Sequence, residues 1–197
     1  MGAQRQAEAD RPGYGEGRQA LLDAAVRVVA TRGLRGLTFR AVAAEAGVTQ
    51  GLVTHHFGNR QTLIREALQE AGIASIGSTL TAERNPDLAT FVEGLQGFLD
   101  DTVELQAFQY EVALEGRRDP ELHDVVRDLY DAYHAATREA LQATGTADDE
   151  VTTRLVFAAL DGLSFQQLVY GPDAQTDACV ERLRELLASA GGRRRDG

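Results

Sequence analysis

Residues 38–57, TFRAVAAEAGVTQGLVTHHF, read as two short helices joined by a glycine turn. Phe39, Val42, Ala43 and Ala46 recur at intervals of three and four, which gives the first helix one apolar face and leaves Arg40 and Glu45 to water. Thr38 is placed to cap that helix. Gly47 stands where the chain leaves it in a left-handed conformation, the geometry that a residue without a Cβ adopts at least cost. Thr49 is then expected to cap the second helix. Leu52, Val53 and Phe57 can pack back on the first, so that Thr49, Gln50, Gly51, Thr54 and His55 face outward. Those short hydrogen-bonding side chains suit base edges and phosphates in a major groove, and the whole pattern is that of a helix-turn-helix.

The flanks extend the helical reading. Over residues 18–31 a stripe of Leu21, Leu22, Ala25, Val26, Val28 and Val29 predicts a helix that stops before Gly33. Gly58 and Asn59 break the chain after Phe57, with Asn59 able to cap a fourth helix carrying Leu63, Ile64, Ala67 and Leu68. Further helices are expected from the start signal Asn85-Pro86-Asp87 to about Asp101, and over 103–115, 122–143, 148–170 and 177–190. The polar ends, 1–17 and 191–197, have no periodicity and are expected to be disordered. With four prolines and no strand-like alternation the chain reads as all-α: a helix-turn-helix domain over 18–60 and a larger helical domain over 61–190.

Hydrophobic residues make up 43% and charged residues 25% of the 197, ordinary values for a globular protein. The net charge of −10 is unevenly spread. Residues 1–70 hold nine arginines against seven carboxylates, whereas residues 71–197 hold eleven against twenty-three. A mildly basic start on an acidic body fits a small DNA-contacting module carried by a part that DNA would repel. Cys179 is the only cysteine, so a disulfide within the chain and a thiolate zinc site are both excluded. A thiol sensor there is disfavoured, because Asp177 and Glu181 beside it would raise the thiol pKa. No signal peptide or apolar run of membrane-spanning length is visible, and a cytoplasmic location without membrane partners is expected. There is no phosphate-binding loop, nucleophile motif or metal-ligand spacing, so neither an enzyme nor a cofactor is expected. Adjacent helical residues diverge by about 100°, so His55 and His56 cannot share one ion. His123 and His134 are too far apart to do so.

Taken together, LLDAAVRVVATRG, GLTFRAVAAEAGVT, GLVTHHF and GNRQTLIREAL resemble the N-terminal part of the TetR family of bacterial transcriptional regulators over residues 18–68. The order RRDPEL, long helix, LVFAALDGLSFQQLV is similar to members with a BetI-type effector domain. The resemblance implies a ligand-responsive regulator, in the family's usual sense a repressor released from a near-palindromic double-stranded operator by a small organic effector. It also implies a homodimer formed by the last two helices. One departure is Thr54, where relatives usually carry an aromatic residue against the DNA backbone; His55 is the substitute at hand. The rival reading, prompted by that departure and by the acidic body, is a helical protein-interaction module that has lost DNA binding.

The candidate DNA contacts are Thr38, Arg40, Thr49, Gln50, Gly51, Thr54, His55 and Arg60. Gln50 can pair with adenine and Gly51 lets the backbone approach, while family alignment gives Arg60 a phosphate. Read more plainly, the threonines are caps and Arg60 a solvated charge, although a helix N-terminus can also hold phosphate. For a ligand, the candidates are Phe91, Phe98, Phe108, Tyr110, Tyr130, Tyr133, Phe157 and Phe165, with Gln109, Glu111, His134 and Gln166 as polar partners; the plain alternative is core packing. Glu111 lies in an otherwise apolar stretch and, if buried, would favour a cationic ligand. For a dimer interface, Leu155, Ala158, Ala159, Gly162, Leu163 and Gln166 put small residues on one stripe that permits close helix approach, and Leu183, Leu186 and Leu187 add apolar contact.

Overall fold

The computed structural model describes residues 14–80, 103–143, 145 and 149–195. These form eight α-helices and no strand. In chain order they are α1 (Tyr14–Arg32), α2 (Phe39–Glu45), α3 (Gln50–Phe57), α4 (Arg60–Leu80), α5 (Val103–Gly116), α6 (Pro120–Ala143), α7 (Glu150–Tyr170) and α8 (Ala174–Arg195). One 3-10 turn, Leu34–Gly36, links α1 to α2. The helix expected between Asn85 and Asp101 lies outside the described residues, and with it the candidates Phe91 and Phe98.

The apolar stripes named above meet in one core. Leu21, Leu22, Ala25, Val28 and Val29 of α1 are buried against Val42 and Ala43 of α2, Val53 and Phe57 of α3, and Leu63, Ile64 and Leu68 of α4. That core does not stop at residue 60. Phe108 and Val112 of α5 and Leu122 and Leu129 of α6 belong to it, with α1 packed along α5 and α4 along α6. Gly72 lets α4 approach α6 closely: a Cβ there would meet Leu129 Cδ1 at 2.4 Å. A second, smaller core joins the end of α6 to α7 and α8 through Leu141, Val156, Leu160, Val180 and Leu187.

The start signals are capped. Asn59 Oδ1 accepts from Thr62 N–H (2.8 Å), and Asp149 Oδ1 from Thr152 N–H (2.8 Å). α1 and α8 are longer than the sequence reading. α1 begins at Tyr14, inside the stretch expected to be disordered: once the packed turns from Leu21 onward nucleate a helix, each further residue adds a hydrogen bond at little entropic cost. α8 begins at Ala174 because Asp173, directly after Pro172, is the cap: its Oδ1 accepts from Gln175 N–H (3.0 Å). It then runs to Arg195, past the expected end at Ala190, with no proline to stop it.

Candidate nucleic-acid interface and ligand site

α2 and α3 are held at a fixed angle by the buried Val42, Ala43, Val53 and Phe57, and the chain turns between them at Gly47, whose φ of +68° favours glycine. Thr38 caps α2, its Oγ1 accepting from Ala41 N–H at 3.1 Å. Thr49 stands at the N-cap position of α3 but, against expectation, its side chain makes no capping bond. The start of α3 therefore has no side-chain cap, the condition in which a helix N-terminus takes an anion. Gln50, Gly51, Thr54 and His55 are exposed on α3, as is Arg40 on α2. Thr54 Oγ1 donates back to Gln50 O (3.1 Å), which leaves its lone pairs outward. Leu52 departs from the expected inward packing; it is 37% exposed beside that face.

Arg60 is placed differently from the expectation of a phosphate ligand. Its guanidinium is half-buried, Nε donating to Leu37 O (2.9 Å) and Nη2 to Leu34 O. The first residue of α4 thus clamps the carbonyls of the α1–α2 connection. Ion pairs brace the same module: Arg27 with Glu45 (2.9 Å), and Arg18 with Glu66 while its guanidinium lies 5.5 Å from the centre of the Phe57 ring. Among the described residues no group of histidines, cysteines and carboxylates is arranged to hold a metal ion.

A second cluster forms where α5, α6 and α7 meet. The rings of Tyr133 and Phe157 stack at 5.6 Å, and Tyr130 and His134 set their edges to Phe157 at 5.7 and 4.9 Å. Tyr110 meets Phe165 edge to face at 5.1 Å. The Tyr110 hydroxyl donates to Asp161, with both the carboxylate Oδ1 and the backbone O at 2.9 Å. Burial pushes the Asp161 carboxyl above its ordinary range, against the pull of that hydrogen bond. Burial also raises the phenol of Tyr110, to which Asp161 adds, and pushes Tyr130 up to about 12. His134 is lowered by burial and by the positive charge of Arg154. A polar chain leads away from the rings: Tyr133 OH donates to Gln109 Oε1 (3.0 Å), and Gln109 Nε2 to Ser75 Oγ on α4 (3.1 Å).

Of the ligand candidates, Tyr110, Tyr130, Tyr133, His134 and Phe165 come together here, joined by Phe157. Phe108 does not; it is fully buried in the large core. Gln166 is exposed on α7. Glu111 is exposed on the side of α5 that meets the 3-10 turn, where it accepts from Leu34 N–H (3.3 Å), because the helix carries it about 100° away from Tyr110. Asp161 was not among the sequence candidates, yet it carries the same signal as Glu111: a carboxylate inside an apolar run, here four residues from both Phe157 and Phe165. A groove of about 360 Å³ between α4 and α6, lined by Leu68, Gly72, Ile73, Ile76, Val125 and Leu129 among others, contains none of the candidates.

On the outer face of α7 and α8, Leu155 (66% exposed) and Leu186 (55%) project from the chain, with Ala159 exposed between turns of α7. A Cβ on Gly162 would meet nothing within 4 Å, so its small size answers to no neighbour among the described residues. Leu187 turns inward into the α7–α8 core, and Leu163 and Leu183 pack against that core half-buried, because the helix pair needs an apolar seam of its own.

Comparison with known proteins agrees with this architecture. Residues 21–67 match the family model "Bacterial regulatory proteins, tetR family", and residues 79–192, more than half of the chain, match "Tetracyclin repressor-like, C-terminal domain". The transcriptional regulator BetI of Burkholderia cenocepacia is 26% identical over 86% of this chain and 91% of its own. The curated relatives matched at 38% to 41% identity share shorter stretches, 25% to 37% of their own length. A TetR-family structure from Rhodococcus sp. superposes with a TM-score of 0.74 at 26% identity, covering 89% of this chain and 98% of that one. The multidrug binding protein EbrR in complex with ethidium does so with a TM-score of 0.66 at 28% identity, over 89% and 98%. No helix among the described residues is long and apolar enough to cross a membrane. The helix-turn-helix on its packed three-helix module, set on a second helical part, is that of a DNA-binding transcriptional regulator, and this chain belongs to the TetR family.

Proposed function

We propose that the chain is a homodimeric repressor that holds a near-palindromic operator and leaves it when a small organic effector enters the α5–α7 aromatic cluster. The observation that carries this reading is the chain Tyr133–Gln109–Ser75, which ties the rings to α4, whose first residue, Arg60, grips the carbonyls of Leu34 and Leu37. A ligand that moves Tyr133 pulls on Gln109 and Ser75, and the pull reaches α2 and α3 through α4. By linkage, an effector that prefers the arrangement with the wrong recognition-helix separation weakens DNA binding by the same factor by which DNA weakens effector binding. Dimerisation through Leu155, Ala159, Gly162 and Leu186 places two α3 helices about one DNA turn, or a multiple of it, apart. On the DNA, Gln50 and Gly51 approach base edges, Thr38, Thr49, Thr54 and His55 the phosphates, and Arg40 lends charge. EbrR, solved with ethidium, supports the expectation that an organic molecule is the signal.

Selection of DNA from a random pool on the purified protein tests the reading. Enrichment of inverted repeats, with binding that weakens steeply as salt rises, is the expected result. Recovery of single half-sites or of no sequence preference would refute it.

A further inference from the structure

The effector cluster combines electron-rich ring faces with a carboxylate that no cation among the described residues neutralises. Asp161 is half-buried, and among the described residues it forms no ion pair; its partner there is the neutral Tyr110 hydroxyl. Arg138 and Arg154 lie one turn along α6 and α7 from His134 and Phe157, and both are bound to Glu150 instead. Burial and the charge of Arg154 lower the pKa of His134, which disfavours its cationic form. Tyr110 and Phe165 meet edge to face beside Asp161, while Phe157, four residues back on the same helix, carries the rings of Tyr130 and Tyr133. Aromatic faces attract positive charge, most strongly when water is excluded. A half-buried carboxylate without a counter-ion is a strained ground state that an incoming cation relieves.

We infer that Asp161, with Tyr110, Tyr130, Tyr133, Phe157 and Phe165, forms a subsite selective for an organic cation. This names the ligand class of the effector site proposed above and rests on that reading. Asp161 supplies the charge and the rings supply a surface that a flat or alkylated cation fills better than a hydrated metal ion does. An anionic ligand is excluded by the same carboxylate, and a neutral one leaves it uncompensated.

The test uses the full-length protein and two probes that share the flat phenanthridine ring: ethidium, a permanent cation that also carries phenyl, ethyl and amino groups, and phenanthridine, uncharged at pH 7.5. The chain has no tryptophan, so probe fluorescence is read without that background. The wild type is expected to bind ethidium at least tenfold more tightly than phenanthridine. Asp161→Asn should reduce ethidium affinity at least tenfold and leave phenanthridine within twofold, while Asp161→Glu retains the preference for the cation; melting curves confirm that both variants fold. If Asp161→Asn binds ethidium as the wild type does, or both probes lose affinity alike, the cation assignment is overturned. Equal binding of both probes to all three proteins would refute the cation subsite and leave the effector site standing, whereas binding of neither would remove both.

Discussion

α1–α4 and the α7–α8 pair differ in how much apolar surface each buries within a single chain. In the first module most apolar side chains are covered, Ile73 on α4 being the main exception: α1 closes over α2, α3 and α4, and the seam continues into α5 and α6. In the second, Leu141, Val156, Leu160, Val180 and Leu187 make a thin core, while Leu155, Val169 and Leu186 stand on the outside. A helix pair that leaves such a stripe uncovered is incomplete alone. The contrast separates a part whose apolar faces are largely covered within the chain from a part whose outer stripe, on the reading proposed above, a second copy covers.

The largest expected effect tests whether the first module is self-contained. Phe108 sits on α5 but is buried in the α1–α4 core, so Phe108→Ala should lose about 3–5 kcal/mol in chemical denaturation. A loss confined to the C-terminal helices, with α1–α4 melting as before, would show that the shared core is not cooperative.

Next comes a pair on the last helices. Leu187→Ala should cost about 2–4 kcal/mol through a cavity in the α7–α8 core. Leu155→Glu should leave helicity intact and turn the dimer into a monomer in sedimentation. If Leu155→Glu leaves the mass unchanged, the exposed stripe is not the dimer surface.

A third comparison lies inside the DNA module. Arg60→Ala removes charged hydrogen bonds to two carbonyls and should destabilise by about 1–3 kcal/mol. Thr49→Ala removes a hydroxyl that caps nothing within the chain and should change stability by less than about 0.5 kcal/mol while weakening DNA binding several-fold. Equal losses of stability would erase the distinction between clamp and contact.

The smallest effect concerns Asp161. Its carboxyl is raised in the folded state, so the native protein holds this proton to higher pH than the unfolded chain does, and the charge costs stability as pH rises from the ordinary carboxylate value of 3.8 through the raised one. Asp161→Asn should therefore melt slightly higher than wild type at pH 7, the advantage disappearing below that ordinary value. A variant less stable at neutral pH would mean that the carboxylate is compensated after all.

Most of the helix-turn-helix was legible because its information is local. Thr38, Gly47, Gly58 and Asn59 act on neighbours within a few residues, and each stands where its chemistry predicts. What Arg60 and Glu111 bond to within the chain was not legible, for the opposite reason. Their partners, the carbonyls of Leu34 and Leu37 and the N–H of Leu34, lie 23 to 77 residues away, where spacing within a helix carries no information. The rings of the cluster were visible as aromatic residues, but which of them meet depends on the packing of α5, α6 and α7. Phe108 and Tyr110, two residues apart on one helix, accordingly serve different cores. Asp161 was overlooked although a carboxylate between Phe157 and Phe165 at four-residue spacing was there to be read. Leu163 and Leu187 were assigned to the outer face because a stripe of small and apolar residues does not say which of two partners it meets.

The central claim is that occupancy of the α5–α7 cluster is felt at α3. It is tested most directly by measuring affinity for a selected inverted-repeat DNA with and without saturating benzyltrimethylammonium, an organic cation that does not intercalate, with its occupancy of the protein checked by calorimetry. The account predicts that affinity falls at least tenfold in the wild type when the probe is bound. Undiminished DNA affinity with the cluster occupied would contradict it.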